Sequence, residues 1–231
     1  MSARYPALLG LVILCLLAAP ARAEPPDPAL MEAVPAERLL PFWRQYAARF
    51  APGEARFEPA YRLDSEPASE TERSGLWLET APGELHAIGL DARGYLVLPA
   101  IAAEAGAVHR QTWIWLDPAL RPPVVRLEIH PRLPLARRYE IAVLAEIAAE
   151  VERFQRQSMG LMFLASPRWS ELVFRFDGPA PDGWLVRPGG QRVALTAFED
   201  TLTLRLDGRA MRAGGHVELD AQPVLIVLQA R

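Results

Sequence analysis

Lysine and asparagine are absent from this chain of 231 residues, and cysteine occurs once, at Cys15. Without asparagine there is no N-linked sequon. A basic complement made entirely of arginine reflects the coding bias of a GC-rich genome and carries no function. Basic charge is also short, with 25 arginines against 28 acids and a formal net charge of −3. Such a balance gives no electrostatic footprint for nucleic acid, so no nucleic-acid partner is expected. Several catalytic signatures are missing too: the Gly-x-Ser-x-Gly elbow, a phosphate-cradling glycine loop with lysine, histidines at zincin spacing, and the aspartate rhythm of a calcium loop. No cofactor is expected.

What is present begins with a leader. A short polar start containing Arg4 runs into the apolar stretch Ala7 to Ala19 and then into Ala21-Arg22-Ala23. That order is a secretory signal peptide over residues 1–23, with cleavage expected before Glu24 and a cut after Ala21 as the alternative. The apolar run is shorter than the roughly 20 residues a membrane-spanning helix needs. Cys15 follows Ile13-Leu14, a bulky pair where a lipoprotein needs a small residue, so it is expected to leave with the leader. The leader holds Arg4 and Arg22 and no acid. The mature 208 residues would therefore carry 23 basic and 28 acidic groups, a net of −5, and no thiol. Redox and zinc-thiolate chemistry are then excluded, and the fold must be held by packing. A periplasmic or secreted location follows, with no transmembrane segment after cleavage.

Glu24 to Pro35 carries four prolines and is expected to be a flexible linker over residues 24–35. From Ala36 to Phe50, apolar residues at spacings of three and four predict one short helix, with Pro41 near its start. Strands are expected at Arg56–Leu63, Leu76–Leu78, Leu85–Leu90, Tyr95–Leu98, Thr112–Leu116 and Val124–Ile129, with Asp64 to Ser74 as an exposed loop. Gly94 suits the tight turn of a hairpin after Asp91. The stretch Leu90 to Pro99 is similar in architecture to a small sandwich of the transthyretin or immunoglobulin kind, which by itself specifies no function. Arg137 to Ser158 predicts a long amphipathic helix laid across a sheet, because its polar face is too acidic for a membrane-surface helix. Strands at Leu172–Phe176, Trp184–Val186, Arg192–Ala197, Thr201–Leu206, His216–Leu219 and Val224–Leu228 predict a C-terminal β-meander. The expected class is α+β, mostly β: antiparallel sheets or a sandwich, one long helix, and a short N-terminal helix. Residues 36–133 and 134–231 form two regions that can also join as one domain.

Gln157 to Gly178 contains Met159-Gly160-Leu161-Met162-Phe163, Ser166-Pro167 and the strand Leu172-Val173-Phe174-Arg175-Phe176. This order resembles an uncharacterised group of proteobacterial exported proteins, in which a helix and a Gly-Met-rich segment precede a C-terminal β region. The resemblance implies export and a β-rich layout, and no site residue.

Two constellations could carry chemistry. Glu128-Ile129-His130 and His216-Val217-Glu218 each place a carboxylate and an imidazole on one strand face. They could converge on a divalent metal if those strands were neighbours, and otherwise they are outward polar faces. Trp113 and Trp115 share a strand face and could stack on a sugar, or else pack in a sheet. His86 and His109 have no useful companion. Three functions remain open. The first is a non-catalytic binding or assembly protein of the bacterial cell envelope, with an envelope protein or glycan as partner. The second is a glycan hydrolase using an acid pair near Trp113 and Trp115, and the third is a carrier of lipids or other hydrophobic ligands.

Overall fold

A computed structural model describes residues 27–64, 75–99, 112–117, 124–160, 168–206 and 214–230. The expected leader, Glu24 to Pro26, the loop over 65–74, His109 and residues 161–167 of the Gly-Met-rich segment lie outside the described residues. The chain is α+β and mostly β, its strands all paired antiparallel.

In chain order the strands are β1 (Glu32–Pro35), β2 (Phe57–Leu63), β3 (Leu76–Ala81), β4 (Glu84–Leu90), β5 (Leu96–Val97), β6 (Trp113–Leu116), β7 (Val125–Pro131) and β8 (Arg138–Glu140). They continue as β9 (Trp169–Arg175), β10 (Gly183–Val186), β11 (Arg192–Ala194), β12 (Thr196–Phe198), β13 (Thr201–Arg205), β14 (His216–Leu219) and β15 (Leu225–Ala230). The helices are α1 (Ala36–Leu39), α2 (Trp43–Arg49) and α3 (Ile141–Met159). Among the described residues three sheets result, in the orders β1-β6-β3-β4-β5, β11-β10-β14-β8 and β12-β13-β9-β15-β7-β2. The first and third meet where Tyr95 bridges Arg62 and the Leu63 N–H donates to the Gly94 carbonyl at 2.9 Å.

Hydrophobic alternation explains the third sheet. Leu202 and Leu204 of β13, Leu172 and Phe174 of β9, and Ile226 and Leu228 of β15 fall on one buried face. Helix α3 covers that face with Ile141, Leu144, Ile147, Val151 and Phe154, the stripe its periodicity predicts. Leu185, Val217 and Leu219 of the four-stranded sheet join the same core. A second core gathers Val34, Leu40, Trp43, Tyr61, Leu78, Ile88 and Ile114.

Five expectations change. Glu32–Pro35 is not linker but an edge strand of the five-stranded sheet, because Val34 is apolar enough to be drawn into the second core. The helix expected over Ala36 to Phe50 is two helices. Pro41 drives Leu40 out of helical geometry, to φ −119 and ψ 67, and Phe42 turns with φ 68 before α2 begins. The long helix starts at Ile141 instead of Arg137, since Arg138–Glu140 pairs with β14 and the Gly215 carbonyl accepts the Ile141 N–H. The strand expected over Arg192 to Ala197 splits at Leu195 and serves two sheets, Leu195 turning onto the main core. Nor do the C-terminal strands form a meander: β15 lies between β9 and β7, so β2 and β7 of 36–133 share the third sheet with β9, β12, β13 and β15 of 134–231.

Candidate functional site

The kink at Pro41 and Phe42 aims α2 across β2 and leaves a groove of about 240 Å³ between them. Half-buried Tyr46 and Phe50 supply its accessible aromatic faces, Trp43 and Tyr61 line it while buried in the second core, Leu98 and Pro99 close one side, and Glu58 and Arg132 stand at its mouth. The walls are held from behind. Tyr46 and Phe50 pack against Phe57 at 5.5 and 5.8 Å and against Phe154 of α3 at 5.9 and 5.8 Å, so their rings are set before any ligand arrives. Both tyrosine hydroxyls turn away to backbone carbonyls: Tyr46 donates to Phe57 at 2.6 Å and Tyr61 to Pro41 at 2.8 Å. Burial raises both phenol pKa values.

The Arg132 guanidinium donates Nε and Nη2 to one oxygen of Glu58, Oε2, at 3.2 and 2.9 Å. Arg132 Nη1 and Glu58 Oε1 make no hydrogen bond with any described residue. They leave a donor nitrogen with two N–H groups and an acceptor oxygen beside an apolar recess. The edge of β2 is obstructed for strand addition at three points. Its Phe57 carbonyl is taken by Tyr46, Pro59 has no N–H, and the Leu63 N–H is used by Gly94.

The opposite face of the third sheet buries a charged cluster. Glu128 of β7, 2% exposed, accepts from Arg175 Nη2 at 2.8 Å and from the Tyr95 hydroxyl at 2.5 Å, and Arg175 Nη1 donates to the same hydroxyl at 2.7 Å. His130 stacks edge-on to Tyr95 at 4.8 Å, its Nε2 3.6 Å from Glu128, too far for a hydrogen bond. Burial favours the neutral acid, but the close approach of the His130 ring and the hydrogen bonds from Tyr95 and Arg175 outweigh it and hold the Glu128 carboxyl down to about 2. Burial and Glu128 push the Tyr95 phenol well above its ordinary value. A general acid or base works best when it titrates near the working pH. Here the carboxylate and phenol are driven away from neutrality in opposite directions, so the cluster serves as a clamp. It ties β7 to β9 across β15, and both to the Tyr95 junction.

Glu128 and His130 share a face, but β7 pairs with β15 and β2, whereas His216 and Glu218 lie on β14 between β10 and β8. The strand neighbourhood that a shared metal needs is absent. Glu218 instead accepts from Arg192, whose guanidinium lies 4.0 Å from the Trp184 ring centroid. Among the described residues no three His, Cys, Asp or Glu side chains gather to hold a metal. Trp113 and Trp115 share the face of the five-stranded sheet opposite its core, where β3 sets Glu79 opposite Trp113 and Trp77 opposite Trp115. Both are half-buried. The acid nearest in register, Glu79, accepts from Trp115 Nε1 at 3.0 Å and from the Gly83 N–H at 2.9 Å, which orients the indole and occupies both carboxylate oxygens.

Sequence patterning missed the groove, because Trp43, Tyr46 and Phe50 read as one buried helical stripe. No family model, curated protein or solved structure matches the chain.

Proposed function

We propose that this chain is an exported, non-catalytic binding module of the bacterial cell envelope, whose ligand enters the groove between α2 and β2. The observation that carries this reading is an aromatic recess of about 240 Å³ with pre-set walls and a half-used Arg132–Glu58 pair at its mouth. Recognition sites commonly join apolar walls to a few placed polar groups in this way. The locked Glu128–Arg175–Tyr95 cluster supports binding over catalysis, since its proton-bearing groups hold fixed charge states near neutral pH. Export rests on the leader-like residues 1–23, and a module with no mature thiol suits an oxidising compartment. No helix among the described residues is long and apolar enough to cross a membrane.

Two outcomes test the proposal. Mass spectrometry of the protein recovered from a periplasmic extract is expected to find Glu24 as the first residue; recovery from the cytoplasm beginning at Met1 contradicts export. Ala47 lines the groove on an α2 face, so Ala47→Glu places a charge in the recess while keeping a good helix former. Immobilised native chain is expected to retain an envelope component that Ala47→Glu loses and Trp113→Ala keeps. Equal retention by native and Ala47→Glu chains places the ligand elsewhere.

A further inference from the structure

Three properties of the groove narrow what it can hold, if it is the ligand site. Its two phenol hydroxyls are committed to Phe57 and Pro41, so a sugar pressed against these walls would find few partners for its own hydroxyls. Charge is balanced at the mouth, where Glu58 and Arg132 neutralise one another, which suits a neutral occupant. Strand addition is obstructed at Phe57, Pro59 and Leu63 of β2, so a peptide is held mainly by its side chains, by the N–H groups of Arg132 Nη1 and by Glu58 Oε1.

From these features we infer that the groove takes a neutral, extended, proline-containing segment of a partner protein, an inference that rests on the binding reading above. Proline has no N–H, so its ring can enter an apolar recess without leaving an orphan donor. A polyproline backbone is already extended, and it loses little conformational freedom on docking against aromatic faces. The carbonyl beside the ring meets Arg132 Nη1. The groove admits a ring or two, in keeping with its volume of about 240 Å³.

The test titrates the full chain, followed by tryptophan fluorescence, with a capped peptide of repeated Ala-Pro-Pro triplets, its Ala-Gly-Gly counterpart, and an N-acetylglucosamine tetramer. Saturable binding of the proline peptide is expected, weakened about tenfold or more in the glycine peptide and in Ala47→Glu. Arg132→Met, which keeps an apolar stem at the mouth, is expected to weaken it about fivefold by removing one hydrogen bond. Thermal melts of each variant establish that it is folded. If the sugar binds in an Ala47-dependent way and the proline peptide does not, the occupant is wrong and the groove reading survives. Failure of both probes, or peptide binding indifferent to Ala47→Glu, overturns the proline inference. The retention experiment above then decides the groove reading separately.

Discussion

Gly215→Ala is expected to prevent the chain from accumulating as folded protein. A Cβ at position 215 would sit 2.1 Å from the Val186 carbonyl oxygen and 3.1 Å from the Arg187 Cα, all backbone, at a φ of +98. Neither atom can swing aside, because Val186 is paired to His216 in the four-stranded sheet. The same glycine supplies the carbonyl that accepts the first N–H of α3, so relief by backbone movement would uncap the helix that covers the main core. The cost should exceed about 4 kcal/mol, a large part of the stability of an ordinary domain. Gly190→Ala provides the comparison. With φ +85 and nothing within 4 Å, it carries conformational strain alone, about 1–2 kcal/mol. The soluble folded yield of the two variants checks the difference, and equal yields with similar urea midpoints would contradict the close approach at Gly215.

Removing one partner from the buried clamp is the second large effect. Arg175→Met leaves Glu128 buried without its guanidinium, and the expected loss is about 3–5 kcal/mol. The double variant Glu128→Gln with Arg175→Met removes both charges and should recover most of that loss. A pH dependence follows from the same pair. The Glu128 carboxyl titrates at about 2 in the folded chain against an ordinary 4.5, so its contribution is present above pH 4.5 and is lost as pH falls toward 2. Thermal melts between these values should show native stability falling with acid, and Glu128→Gln should flatten that part of the profile. A profile unchanged by Glu128→Gln would remove the carboxylate from the account.

Local periodicity made much of the fold readable. The Thr201 to Arg205 alternation and the apolar stripe from Ile141 to Phe154 describe elements whose buried faces are set by neighbours in sequence, and both stand as expected. The Asp91 hairpin does too, with Gly94 at φ +80 and its N–H bonded to the Asp91 carbonyl at 3.0 Å. What escaped depends on distant pairing. Glu128 and Arg175 are 47 residues apart and meet across β15, which itself comes from the far end of the chain. Glu58 and Arg132 are 74 apart and meet because β2 pairs with β7. At the groove a different ambiguity operates. Hydrophobic spacing shows that Tyr46 and Phe50 belong on one helical face, but not that the face overhangs β2 and leaves one side open. Pro41 was the available signal: a proline one turn into a short helix preceded the turn at Phe42 that opens the recess.

The clamp is buried on one face of the six-stranded sheet, and the groove lies at its β2 edge. Glu128, Arg175 and Tyr95 join the five-stranded and six-stranded sheets, and that junction fixes β5 and the following Leu98 and Pro99 as one wall of the groove. In the proposed function, ligand contact falls to α2, to the β2 edge and to Arg132. In-cell photo-crosslinking tests this directly, with a benzophenone amino acid placed at Pro52, on the exposed rim of the groove, or at Trp113, on the tryptophan-bearing sheet face. The account predicts an adduct from position 52 that disappears when Ala47→Glu is added, and none from position 113. An adduct from position 113 alone, or one from position 52 that survives Ala47→Glu, would contradict it.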